Sequence, residues 1–336
     1  MFLEHTLLTR RNSFGIAASS RFLWEVESEA ALVAALQTVT ARNLPVMVLG
    51  GGSNIVFSQN YTGLIICPNL HGIRSQPLTN NSVLVEAAAG ENWHDFVQYC
   101  LAQGWYGLEN LSLIPGHVGA APIQNIGAYG VEIKDYFHSL RAICRITGAV
   151  REFILAECQF GYRDSIFKHE LKDRYIITQV RFALSRVPTV KVQYGDISAK
   201  LTQQGITHPR PQDLANAIIA IRQSKLPDPA QIGNTGSFFK NPVVSAAQYQ
   251  QLKHDYPQIV AYPQAQGVKL AAGWLIEQAG WKGKSLGRAG VYEKQALVLV
   301  NRGGVVGAEV IALAQAIQQD VQHKFGVMLE IEVNIV

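Results

Sequence analysis

The chain has 336 residues, 48% hydrophobic and 16% charged, enough for two or three domains each burying its own core. A net charge of +4 carried by scattered basic residues excludes an extended nucleic-acid surface. No apolar run is long enough to span a bilayer, and Glu4, His5, Arg10 and Arg11 interrupt any signal-like N-terminus. Cys67, Cys100, Cys144 and Cys158 lie far apart and read as thiols of a reducing compartment, so the expected location is cytoplasmic.

The first unit begins near Ser13-Phe14-Gly15. Apolar spacing at Leu32, Val33, Leu36 and Val39 predicts a helix over 29–42. A short strand over 45–49 runs into Gly50-Gly51-Gly52, and 54–57 resumes it. Strands follow over 63–67 and 82–89, then a helix over 93–103, then strands over 140–146, 175–184 and 190–193. A helix ends near Ile221, and the prolines of Lys225-Leu226-Pro227-Asp228-Pro229 mark a linker. Beyond it come helices over 246–254, 271–279 and 308–323, a strand over 296–301 and a closing strand over 327–336. In that last strand Leu329, Ile331 and Val333 face one way, Glu330, Glu332 and Asn334 the other. With few regular βαβ spacings, the fold class is α+β.

Four segments carry chemistry. In Gly50-Gly51-Gly52-Ser53-Asn54 the missing Cβ atoms let backbone N–H groups converge on an anion, and Ser53 and Asn54 add donors. Neither the Walker nor the dinucleotide spacing is present. From Ile114 to Gly130 runs an uncharged stretch of small residues, including Gly116, Gly119, Gln124, Asn125, Ile126 and Gly127. It suits a backbone surface against a flat ligand, with the Gln124 and Asn125 amides available to a heterocycle edge. Arg163, in Phe160-Gly161-Tyr162-Arg163-Asp164-Ser165, suits a carboxylate or a delocalised anion. Ser237, in Asn234-Thr235-Gly236-Ser237-Phe238-Phe239-Lys240-Asn241-Pro242, lacks a neighbouring histidine base, and beside a cation it suits proton donation better than nucleophilic attack. The nine histidines show no H-E-x-x-H pairing, so no catalytic metal is expected.

These segments and the final Leu329-Glu330-Ile331-Glu332-Val333, in this order, resemble the UDP-N-acetylenolpyruvoylglucosamine reductase (MurB) family of bacterial peptidoglycan synthesis, over nearly the whole chain. The resemblance implies an FAD-binding fold of the vanillyl-alcohol oxidase type with a separate α+β substrate domain. It divides the chain into FAD subdomains at 1–66 and 67–224, the latter joined by 327–336, and a substrate domain at 225–326. It implies noncovalent FAD, since no histidine adjoins the glycine turn for attachment, and NADPH as reductant of a UDP-sugar enolpyruvyl ether, in a monomer without nucleic-acid or membrane partners. Arg163 matches the family arginine that stabilises the anionic intermediate, and Ser237 the serine that protonates it. Periodicity cannot choose between Glu330 and Glu332; the family pattern, with its glutamate directly before Val333, selects Glu332. Only four residues follow Glu332, so fraying is expected there. Tyr194, Lys225, Asn241 and Gln295 resemble residues contacting substrate or its pyrophosphate, and Tyr262 the tyrosine of a mobile loop in the longer form of the family.

Overall fold

The structure is a computed structural model describing residues 2–264 and 267–336, the side chains of 40–42 excepted. The chain forms two compact units. The first takes residues 1–6, 20–51 and 62–224; the second takes 7–19, 52–61 and 225–336.

In the first unit a four-stranded sheet runs Phe2–Leu7, Ser19–Val26, Tyr61–Pro68, Val46–Val48, the last pair parallel. A five-stranded antiparallel sheet runs Val150–Ile154, Phe137–Cys144, Tyr175–Ser185, Ser82–Ala88, Ile73–Thr79. Helix Glu29–Arg42 buries Leu32, Ala35, Leu36 and Val39 against Phe22, Leu64, Ile143 and Ile176, side chains drawn from both sheets. Helix Trp93–Ala102, capped by Asn92, buries Trp93, Phe96, Val97 and Cys100 in the larger core with Phe153 and Phe182. Removing these side chains from water contributes about 2 kcal/mol each, which outweighs any single polar contact in the unit.

The second unit carries an antiparallel sheet ordered Asn234–Ser237, Val298–Asn301, Ala289–Val291, Ser285–Leu286. A three-stranded sheet orders Val243–Val244, Gly267–Leu270, Ala261–Gln264. Helices Ala246–Asp255, Ala272–Gln278 and Gly307–Phe325 complete it. The mixed, mainly antiparallel content is the α+β class read from the sequence. No helix among the described residues is long and apolar enough to cross a membrane.

Several expectations need correction. Residues 7–19 and 52–61 pack with 225–336 in the second unit. The ties are distant in sequence: Ser13 N donates to Gly52 O at 3.0 Å, and Asn234 N donates to Ser13 O at 3.0 Å. Residues 327–336 also join the second unit rather than 67–224, because Asn334–Ile335 pairs in parallel with Ile55–Val56. The expected strand over 327–336 is mostly irregular, since it changes partner partway; only Asn334–Ile335 is a strand, with a lone bridge at Ile331. Its end is tied down, not frayed: Val336 N donates to Val56 O at 3.0 Å and Ser58 N to Val336 O at 2.6 Å. Residues 190–193 form no strand, because Val190 and Val192 satisfy their alternation by packing on the cluster of Ile197, Leu201, Leu214 and Ile218.

One charged cluster ties helix Glu29–Arg42 to the five-stranded sheet. Glu29 accepts from Arg141 Nε at 2.8 Å, Arg141 Nη2 at 2.9 Å and Thr178 Oγ1 at 2.6 Å. The hydrogen bond from Arg141 holds the Glu29 carboxyl below its ordinary pKa despite opposing burial. A depressed folded-state pKa stabilises above the unfolded value near ~4.3 and is lost as pH falls through the folded one. Glu29→Gln should therefore lower unfolding free energy at pH 7 by about 1 kcal/mol, the difference closing towards pH 3 in urea melts at a series of pH values.

Candidate active site

In the first unit the glycine turn and the small-residue run meet. A Cβ at Gly51 would lie 3.2 Å from Gly116 Cα and 3.3 Å from His117 Cδ2, so only glycine lets the two backbones approach this closely. Gly119 packs so tightly on Ala89 that an added Cβ would sit 2.5 Å from the Ala89 Cβ. His117 Nδ1 is buried with no hydrogen-bond partner among the described residues. Burial, with His71 nearby, lowers the His117 pKa against the opposing pull of Glu91. Gly52 is glycine for another reason: φ is 62° and Arg11 O occupies the space of a Cβ, 2.0 Å away. Asn54 Nδ2 donates to Glu332 O at 3.4 Å, which ties the end of the turn to the C-terminal segment. Ser53 is half-buried in the turn between them.

The run itself is a 3-10 helix, Val118–Gln124, followed by a two-stranded hairpin of Gly127–Ala128 with Val131–Glu132. Gln124 is half-buried at the end of the 3-10 helix, and Ile126 is buried in the core. Asn125 caps the helix at φ 44°, fully buried. Its Nδ2 donates to Glu132 Oε2 at 2.9 Å and Gly161 O at 2.8 Å, and its Oδ1 accepts from Lys134 N at 3.2 Å. The Asn125 amide is therefore consumed inside the protein and is not available to a heterocycle edge, contrary to the sequence reading. It joins the run to the Arg163 turn.

Arg163 lies at φ 54°, a left-handed conformation costing a non-glycine residue on the order of 1 kcal/mol. The turn is closed by Gly161 N donating to Asp164 O at 3.0 Å, and Arg163 Nη2 donates to Gly127 O at 2.7 Å. The second and third sequence signals are thus one rigid piece.

Tyr194 stands edge-on to Tyr129 at 6.5 Å, against Gly130. Asn110, which the sequence did not single out, holds both sides of this contact by donating to Tyr129 O at 3.0 Å and Lys191 O at 3.1 Å. Arg222 was missed as well. Its Nε donates to Leu113 O at 3.2 Å, directly before the run. Burial lowers its pKa, and the charge of Arg163 lowers it further while Tyr129 opposes. Its helical spacing, one turn before Lys225 in helix Pro211–Lys225, is the signal that could have found it.

In the second unit Ser237 is exposed at the end of Asn234–Ser237, paired with Val298 across a bulge. Phe238 and Phe239 behind it are fully buried. Next to them Lys240 N donates to Glu330 O at 2.9 Å and Glu332 N donates to Phe238 O at 2.9 Å, either side of a Phe239–Ile331 bridge. This short ladder brings the Ser237 and Glu332 segments side by side. Lys240 Nζ pairs with the exposed Glu330 carboxylate, whereas Glu332 is half-buried.

Asn241 and Gln295 converge on the start of helix Ala272–Gln278. Asn241 Oδ1 accepts from Ala272 N at 2.9 Å, and Gln295 Oε1 lies 2.9 Å from where a Gly273 Cβ would be. Tyr262 is exposed on the hairpin of Ala261–Gln264 with Gly267–Leu270, its ring 6.0 Å from Lys269 Nζ. Lys225, exposed, begins the last segment of this unit, 225–336. No three His, Cys, Asp or Glu among the described residues are grouped to hold a metal.

Replacing Asn125 by Ala should cost on the order of 3 kcal/mol, from orphaned buried partners plus left-handed strain, and lower the Tm by several degrees in calorimetry. A loss below 0.5 kcal/mol, within the range of an ordinary surface substitution, would show that other contacts hold the turn.

Residues 228–336 match the family model of the UDP-N-acetylenolpyruvoylglucosamine reductase C-terminal domain, and 21–153 match that of an FAD binding domain. The chain is 52% identical to the UDP-N-acetylenolpyruvoylglucosamine reductase of Paraburkholderia xenovorans, over 98% of this chain and 96% of that protein. It is 53% identical to the protein of the same name from Chromobacterium violaceum, over 96% and 95%. The solved UDP-N-acetylenolpyruvylglucosamine reductase (MurB) of Thermus caldophilus shares the fold at a TM-score of 0.67 and 23% identity, covering 100% of this chain and 99% of that one. The chain belongs to the UDP-N-acetylenolpyruvoylglucosamine reductase family.

Proposed function

We propose that the chain reduces the enolpyruvyl ether of UDP-N-acetylglucosamine to UDP-N-acetylmuramate, using NADPH and noncovalent FAD, as a cytoplasmic monomer. The observation that carries this reading is the ladder placing the loop of Ser237 beside the segment of Glu332. Reduction of a carbon–carbon double bond by hydride leaves a carbon that must then be protonated, and a hydroxyl beside a carboxylate segment suits that step.

The residues present fit FAD. Gly51 brings the turn against Gly116 and the His117 ring, and the buried Nδ1 of His117 has no hydrogen-bond partner among the described residues. The Gly50–Asn54 turn would hold the diphosphate through backbone N–H groups. The run bearing Gly116, Gly119, Gln124, Ile126 and Gly127 would lie along the rings, with Asn125 shaping it from inside. When bound, FAD supplies hydride to the terminal methylene carbon of the enolpyruvyl group.

Arg163, preorganised by its bond to Gly127 O, stabilises the negative charge that develops at the ether carbon and carboxylate, and Arg222 adds a second positive charge. Ser237 Oγ–H delivers its proton to that carbon, and Glu332 replaces it from solvent. Lys225, Tyr194, Asn241, Gln295 and Tyr262 bind the UDP portion, with Asn241 held by accepting at Oδ1 from Ala272 N.

In rapid-mixing absorbance measurements, Ser237→Ala should leave flavin reduction by NADPH intact and slow reoxidation by the enolpyruvyl substrate at least ~100-fold. Equal slowing of both half-reactions would contradict the proton-donor role.

A further inference from the structure

The bulge that presents Ser237 is held by Asn234, the first residue of the same sequence motif, to which the sequence assigned no role. Asn234 is buried, and its side chain makes three hydrogen bonds. Nδ2 donates to Pro227 O at 3.1 Å and to Ile232 O at 2.8 Å, while Oδ1 accepts from Gly236 N at 2.9 Å. Its main chain is fixed as well, donating from N to Ser13 O at 3.0 Å and accepting from Ser13 Oγ at 2.6 Å. The Oδ1 bond to the N–H two residues on is an Asx turn. It closes around Gly236, whose φ of 70° belongs to the left-handed region and whose Cβ position is open space. No packing therefore forces Gly236 into this shape; the Asn234 amide does. Meanwhile Pro227, two residues after Lys225, is bound by the same amide group.

We infer that Asn234 is a positioning residue for the proton-transfer step: one side-chain amide fixes the Ser237 bulge and ties it to the Lys225–Pro227 segment. This rests on the proposed role of Ser237. Every donor and acceptor of the amide is occupied within the chain, so it acts on the reaction only through the serine and the linker. Loss of the Oδ1 acceptor frees Gly236 to leave the left-handed region, and a displacement of about 1 Å at a reacting group costs on the order of 100-fold in rate.

The test is a double-mutant cycle on the FAD-loaded full chain, read as flavin reoxidation by the enolpyruvyl substrate after reduction by NADPH. Asn234→Ala should slow reoxidation at saturating substrate by about 10- to 100-fold while leaving reduction by NADPH and FAD affinity unchanged. In the Ser237→Ala background the same substitution should have little further effect, since its target is gone. Asn234→Ser should recover part of the rate, because a serine hydroxyl also accepts from the N–H two residues on, more weakly. Additive losses in the cycle, or equal slowing of both half-reactions, would overturn the inference and leave Asn234 a purely structural residue. If Ser237→Ala itself left reoxidation unchanged, the underlying proton-donor reading would fail instead, and the two failures are told apart by that single variant.

Discussion

The arrangement in the second unit depends on one short piece of β-pairing, in which residues 238–240 run against 330–332. Two backbone hydrogen bonds and a bridge are modest in themselves, each net bond contributing about 1 kcal/mol. The register is fixed because Phe238, Phe239 and Leu329 are fully buried. Sliding the pairing by one residue would turn such side chains to water at about 2 kcal/mol apiece. The Lys240–Glu330 pair on the exposed side is worth far less and follows from the register instead of setting it. Beyond the ladder the segment changes partner and pairs with Ile55–Val56, which follow directly on the glycine turn. The turn and the glutamate segment are therefore coupled through backbone, with the Asn54 amide as an extra tie.

The first unit solves its own problem with left-handed residues. Leu113, Asn125, Tyr129 and Arg163 all have positive φ, and together with the glycines they fold an uncharged run into a surface instead of a regular element. Strain of this kind persists only where surrounding bonds over-determine it. Asn125 and Arg163 supply those bonds, so the guanidinium proposed to meet developing charge is held before any ligand arrives. The same logic recurs at Gly236, where the Asn234 amide replaces packing as the constraint.

Much of this was legible in the sequence where local rules decide. Helix Glu29–Arg42 followed from apolar spacing alone, and the glycine turn announced a close backbone approach. What stayed hidden was tertiary. Alternation placed Glu330 and Glu332 on one face; their different burial and the reach of Lys240 from another segment to Glu330 distinguish them. Asn125 looked like a ligand-facing amide because its partners Glu132 and Gly161 are brought to it by the fold. Residues 190–193 alternated like a strand, yet their apolar face is satisfied by a helical cluster. Residues 7–19 read as the start of the first unit because nothing local reveals that Ser13 bonds to Gly52 and Asn234.

The central proposal gives the two glutamates beside this ladder different work: Glu332 in the proton-transfer step and Glu330 in the ion pair with Lys240. Flavin reoxidation by the enolpyruvyl substrate, compared between Glu332→Gln and Glu330→Gln, tests it most directly. The account predicts a loss of about 100-fold or more for Glu332→Gln and less than about threefold for Glu330→Gln. Equal losses, or a larger loss at Glu330, would contradict it.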